Sequence, residues 1–161
     1  MQKFINFAKK LSNLGAYISA ITYILLVILI LTEIFLRAIF NKSTMIADEY
    51  SGYLYLASVF LGLGYTFLQN GHIRINIITS KLSKKKLKLV DIYAGSVTLL
   101  VVLFILYRVT LLTIDSYKFE VVSEGVSETP IYLTQIPMII GTFIFAIAIL
   151  AFLIKRFKDD I

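Results

Sequence analysis

Four runs without charge dominate the chain: residues 11–32, 50–71, 92–114 (broken only by Arg108) and 129–154. Each supplies the roughly 20 apolar residues that cross a bilayer as a helix. None shows the alternation of apolar and polar positions that barrel strands carry. A lipid-facing segment must satisfy its backbone internally, so the pattern predicts helices. Their expected bounds are 12–40, 49–70, 88–116 and 130–155, forming one domain of an all-α integral membrane protein, a four-helix bundle. In the last run Thr129 and Pro130 read as N-cap and first helical residue. Pro137 lies inside that helix, where its missing N–H frees the carbonyl of Leu133 and predicts a kink.

Composition agrees with a membrane protein. Of 161 residues, 58% are hydrophobic and 16% charged, and the mean hydropathy is +0.85, which excludes an ordinary soluble domain. The first run follows Lys3, Lys9 and Lys10 as a signal peptide would. Its core is too long, however, and no small-residue cleavage site follows, so it is expected to remain as the first spanning helix. The chain has no cysteine, hence no disulfide framework, thiol nucleophile or thiolate metal site.

The net charge of +6 takes its meaning from where the positive residues lie. With the N-terminus in the cytoplasm, four crossings return the C-terminus there. The cytoplasmic side then holds Lys3, Lys9, Lys10, Arg74, Lys81, Lys84, Lys85, Lys86, Lys88, Lys155, Arg156 and Lys158, and the far side only Lys42 and Lys118. The positive-inside rule selects this N-in/C-in topology. The implied partner of the basic charge is anionic membrane lipid, not nucleic acid, and the lysine run at 84–88 serves as a topology determinant. The outer loops are acidic, with Asp48 and Glu49 in the first and Glu120, Glu124 and Glu128 in the second.

Few residues carry chemistry inside the membrane. Glu33 and Arg37 stand one helical turn apart in the favourable acid-before-base order, late in helix 1. A lone charge at the centre of a membrane helix costs roughly 2.5 to 3.5 kcal/mol, so the two are expected to neutralise each other. They can form a self-contained pair, or a polar node that links helix 1 to Glu49 or to a partner protein. On helix 3, Arg108 and Asp115 share a face but are two turns, roughly 10 Å, apart. They read as separate interfacial charges or as a contact to another subunit. Ser58 and Gly62 have the small-xxx-small spacing that lets helix backbones approach closely.

Between helices 2 and 3 stands "GHIRIN", residues 71–76, with the only histidine of the chain. One histidine without cysteine makes no metal set, and no nucleophile-elbow pattern accompanies it, so neither metal, cofactor nor catalysis is expected. Gly71 can end helix 2. His72 and Arg74 then meet the headgroups while Ile73, Ile75, Ile77 and Ile78 dip toward the acyl chains, a short cytoplasmic anchor on the membrane surface.

These motifs together resemble the small membrane subunit, the DctQ-like component, of tripartite ATP-independent periplasmic (TRAP) transporters. The family's Glu and Arg one turn apart, followed by an aromatic and Asn, are matched by Glu33, Arg37, Phe40 and Asn41. Its Glu opening helix 2 and its glycine within that helix are matched by Glu49 and Gly62. Its Gly-His-Ile-Arg-Val-Asp is matched by Gly71, His72, Ile73 and Arg74, with Asn76 in place of Asp. Pro130, Pro137 and Gly141 match its entry to helix 4. The chain departs from the family in having no tryptophan.

The resemblance implies a non-enzymatic subunit of the bacterial inner membrane. Its implied partners are a large multi-helix (DctM-like) membrane subunit, which it widens as a scaffold, and a periplasmic substrate-binding protein (DctP-like). Such systems take up organic acids, C4-dicarboxylates or sialic acid, with sodium. The acidic outer residues Asp48, Glu120, Glu124 and Glu128 are then candidates for docking the binding protein. Two rival classes remain. A self-sufficient four-helix proton-coupled exporter would use Glu33 as an unpaired carboxylate near the midplane, whereas Glu33 lies late in its helix beside Arg37. A haem-binding anchor would need two axial ligands, and a single histidine cannot supply both.

Overall fold

The structure is a computed structural model that describes residues 2–69 and 83–158. These residues form α1 (Gln2–Phe40), α2 (Ala47–Leu68), α3 (Lys84–Lys118) and α4 (Ile131–Lys158), each long and apolar enough to span a membrane. The chain is thus a four-helix membrane protein. Helix α1 starts ten residues before the expected position 12 and has 39 residues, about 58 Å at 1.5 Å per residue. That is nearly twice the hydrocarbon thickness of about 30 Å. Its lysine-bearing first turns therefore extend the helix beyond the apolar run.

Two loops connect these helices at one end of the molecule. Residues 41–46 join α1 to α2 and residues 119–130 join α3 to α4. The second of them meets the start of α2, where the Tyr50 hydroxyl lies 3.1 Å from that of Thr129. At the opposite, lysine-rich end Arg156 of α4 pairs with Asp91 of α3 at 2.6 Å, and Lys88 Nζ donates to the Phe157 carbonyl at 3.3 Å.

Lipid tails are as apolar as leucine, so helices in a membrane gain little by hiding apolar side chains and associate where backbones come close. Small residues make that approach possible here. A Cβ on Gly141 of α4 would overlap the Phe60 carbonyl of α2, and one on Gly15 of α1 would stand 2.6 Å from the Leu61 carbonyl oxygen. Ser58 and Gly62 belong to the same seam. Ser19 of α1 donates its hydroxyl to the Ser58 carbonyl at 2.6 Å, and the space above Gly62 is taken by that same Ser19 hydroxyl. The small-residue spacing of α2 therefore serves the contact between α1 and α2.

Helix α4 is the centre of the arrangement. Within its most apolar window 44% of residues are buried, against 6% in α1 and in α3. It packs on the other three helices, whereas α3 packs chiefly on α4. Val102 of α3 joins Ala146, Ile149 and Leu153 of α4 in the core, and Phe67 of α2 closes it edge-on to Phe145 and Phe152. The result is an open array, with the α1–α2 pair on one side of α4 and α3 on the other, instead of a closed ring of four.

The start of α4 differs from expectation. The helix begins at Ile131, and the Thr129 hydroxyl is engaged with Ser127 and Tyr50, so it does not cap the helix. Pro130 instead forms a bridge with Val122 that pinches the loop shut. Helix α4 runs through Pro137 as one continuous element.

The positive-inside rule predicts that the loop end faces outward, and the cysteine-free chain allows a direct test. Met45 and Val126 are 68% and 73% exposed in the two loops, and Ser83 is exposed at the opposite end. With an impermeant thiol reagent on intact spheroplasts, Met45→Cys and Val126→Cys are expected to react and Ser83→Cys to stay unlabelled. The reverse pattern would invert the topology.

Candidate functional site

The loop end carries two carboxylates that hold the loops in place. Glu33 is only 6% exposed although it lies within two turns of the C-terminal end of α1. Its Oε1 accepts from Arg37 Nε at 2.5 Å and from the Ser43 hydroxyl at 2.6 Å. Its Oε2 accepts from the Thr44 backbone N–H at 2.9 Å and from the Thr44 hydroxyl. Three of these four donors are neutral groups of the loop, which folds back over the end of its own helix to reach them. A carboxylate takes several such bonds because each of its two oxygens offers two lone pairs.

That loop is tightly turned. Asn41 and Met45 both have left-handed backbone, at φ 49° and 59°, a conformation disfavoured for residues other than glycine. Asparagine tolerates it best among them. The Lys42 N–H then returns to the Leu36 carbonyl at 3.3 Å, and the Met45 N–H bonds the Ser43 hydroxyl at 3.0 Å. The bonds to Glu33 offset the cost of these turns.

Glu49 in the first turn of α2 does the same for the second loop. Its Oε1 accepts from the Tyr53 hydroxyl at 2.8 Å and its Oε2 from the Ser127 hydroxyl at 2.7 Å. Ser127 and Thr129 share a hydroxyl contact of 2.7 Å. The Thr129 N–H donates to the Ser123 hydroxyl at 3.0 Å. Gly125 lies directly over the carboxylate, and a Cβ there would overlap Glu49 Oε2. Of the alternatives read from the sequence for Glu33 and Arg37, the link to Glu49 is not made among the described residues. Each carboxylate has its own donors: Arg37, Ser43 and Thr44 for Glu33, and Tyr53 and Ser127 for Glu49. A long, exposed contact of 3.9 Å from Arg37 to Asp48 is what connects α1 to the first turn of α2.

The remaining candidates fall into three groups. Asp48, Glu120, Glu124 and Glu128 are all exposed on the loop end, the Asp48 side chain at 95%. Glu120 also closes α3. It has φ 50°, and the bonds from Glu120 N–H to the Tyr117 carbonyl and from Val121 N–H to the Ser116 carbonyl make a Schellman ending in which glycine is the usual residue. Glu128 is likewise left-handed, at φ 45°. Arg108 and Asp115 are both exposed on α3 and make no ion pair with each other. Gly71, His72, Arg74 and Asn76 lie outside the described residues.

Chemically, the two carboxylates are supplied with donors and positioned for structure. Among the described residues no group of three or more His, Asp or Glu could hold a metal. Sequence reasoning found Glu33, Arg37 and Glu49 but missed Ser43, Thr44, Tyr53, Gly125 and Ser127, and the Asp91–Arg156 pair at the other end. Ser43 and Thr44 had a readable signal, two hydroxyl residues within one short loop of a membrane carboxylate. Ser127 and Gly125 had none, standing 78 and 76 positions from the residue they serve.

Comparison with known proteins agrees with this architecture. Residues 26–159 match the family model of the DctQ component of tripartite ATP-independent periplasmic transporters. A protein of Haemophilus influenzae whose name describes it as a TRAP transporter small permease is 22% identical over 157 residues, covering 98% of this chain and 93% of that protein. No solved structure matches the chain significantly.

The loop bonds rank the expected effects of substitution. Arg37→Ala leaves Glu33 with its three loop donors and is expected to lower the unfolding midpoint of the purified protein by only a degree or two, roughly the effect of an exposed pair. Glu33→Ala strands all of those donors and is expected to lower it by roughly 5 °C or more. Gly125→Ala should cost about 1 to 3 kcal/mol by overpacking. Equal effects of Arg37→Ala and Glu33→Ala in a thermal melt would show that the ion pair, and not the loop, is what Glu33 maintains.

Proposed function

Because the chain belongs to the DctQ family of tripartite ATP-independent periplasmic transporters, we propose that it is the small subunit that scaffolds a large DctM-like permease in the bacterial inner membrane. With that permease and a DctP-like periplasmic binding protein it serves sodium-driven uptake of an organic acid of C4-dicarboxylate or sialic acid type. It has no catalytic activity of its own. In this reading the topology is N-in/C-in and the loop end faces the periplasm.

The observation that carries the proposal is the family match across residues 26–159, joined to an architecture that leaves α1 and α3 mostly uncovered along their apolar lengths. The rival exporter needs a carboxylate free to take and release protons within the membrane. Glu33, with donors from Ser43, Thr44 and Arg37, suits a loop anchor better. A docking surface benefits from loops that are already ordered, since a partner then does not have to order them. The two carboxylate nodes hold such loops, and Asp48, Glu120, Glu124 and Glu128 give that surface its negative charge.

Reconstituted alone, the chain is expected to transport nothing. With the large subunit, the binding protein and an inward sodium gradient it is expected to support organic-acid uptake. Joint reversal of Asp48 and Glu124 to lysine should raise the binding-protein concentration for half-maximal uptake by roughly threefold to tenfold. The effect should shrink as salt is added, because exposed charges are screened. Uptake by the small chain alone, or an unchanged rate when it is omitted, would sink the proposal.

A further inference from the structure

Arg108 is a cation inside the apolar length of α3 with no ion pair among the described residues. It stands nine residues from Tyr117, whose ring meets Tyr132 edge-on at 5.2 Å at the loop end, and 17 residues from Asp91 at the lysine-rich end. At 1.5 Å per residue these separations are about 14 Å and about 25 Å. Both place Arg108 within the hydrocarbon region. The buried face of α3 is marked by Val102, Val109 and Ser116, seven residues apart. Arg108, one position before Val109 and so about 100° round the helix from that stripe, lies on the exposed flank with Phe104 and Leu112, 64% and 52% exposed, and with Asp115.

Two escapes available to a membrane arginine are poor here. Side chains on a helix lean toward its N-terminus. For α3 that is the lysine-rich end, so Arg108 leans away from the nearer headgroups and reaches them only against that preference. Among the described residues the acids nearest the helices are also engaged elsewhere or out of reach. Glu33 and Glu49 are bonded within the loops, Asp91 pairs with Arg156, and Asp115 lies two turns away, about 10 Å. A charged residue in a membrane helix ordinarily faces a partner or a water-filled space.

We propose that the outward face of α3 is the seat of a transmembrane helix of the large permease subunit, and that this helix supplies a carboxylate to Arg108 within the bilayer. The inference rests on the subunit reading above and adds to it which face is covered and by what chemistry. A second copy of this chain does not suit the seat. Two copies inserted the same way would present the same patch to each other about a two-fold axis, bringing one Arg108 against the other. Phe104 and Leu112, one turn to either side, are the apolar shoulders that would exclude water from the ion pair.

The test uses the small and large subunits expressed together, with the small chain tagged. Arg108→Glu is expected to reduce recovery of the large subunit by at least about tenfold, as a buried like-charge contact would. Arg108→Lys should retain most of it. Insertion and thermal stability of the small chain alone should not change in either variant, because Arg108 is exposed and has no hydrogen bond or ion pair among the described residues. Phe104→Cys should be labelled by a membrane-permeant maleimide in the lone chain and protected in the complex. Full recovery of the large subunit with Arg108→Glu, or a Phe104→Cys disulfide between two small chains, overturns the inference and leaves the subunit reading standing. Failure of the native chain to recover the large subunit overturns both.

Discussion

At Gly141 the backbone of α4 lies directly on the backbone of α2, with no room for a Cβ before the Phe60 carbonyl. Water cannot drive that contact, because the helices are already dissolved in lipid and their apolar side chains lose nothing by staying there. What remains is close dispersion contact over a length of backbone, which small residues such as glycine and serine permit. The same condition is met at Gly15 over Leu61 and at Ser19 over Ser58. The positions of α1, α2 and α4 depend on these few small residues, and everything at the loop end is carried on the frame they make.

On that frame each loop is tied down by a carboxylate at the end of a neighbouring helix. The arrangement is economical in polar groups. Glu33 binds the loop that follows its own helix, and Glu49 binds the loop that leads into α4. Both loops include left-handed residues other than glycine, among them Asn41, Met45, Glu120 and Glu128, which would not persist in an untethered segment. The surface of the loop end is therefore a shape held against strain, and the backbone that carries its exposed acids is tied to the bundle.

The open array explains why the subunit suits partnership. A closed ring of four helices would bury its polar residues inside and present only lipid-compatible faces. Here α3 is fastened to α4 along one stripe and presents the rest of its surface outward, Arg108 included. Asymmetry of this kind is expected of a component that completes its packing against another protein.

Helix existence and number were legible in the uncharged runs, because a membrane span is a one-dimensional property of about 20 consecutive residues, whereas the ten residues by which α1 begins before its apolar run were not. The Glu33–Arg37 pair was legible for a similar reason, since residues one turn apart on a helix are neighbours whatever the tertiary fold. The family resemblance was readable in the same local motifs. Only the tertiary structure decided that α4 is central and that Ser58 and Gly62 face α1. It also paired Glu49 with Ser127, Gly125 with Glu49, and Asp91 with Arg156. These contacts join residues 65 to 78 positions apart, or turn on which face of an almost uniformly apolar helix points inward. In a soluble protein a polar face would have marked the outside. In lipid that mark is missing, so the choice of face is left to packing among small residues.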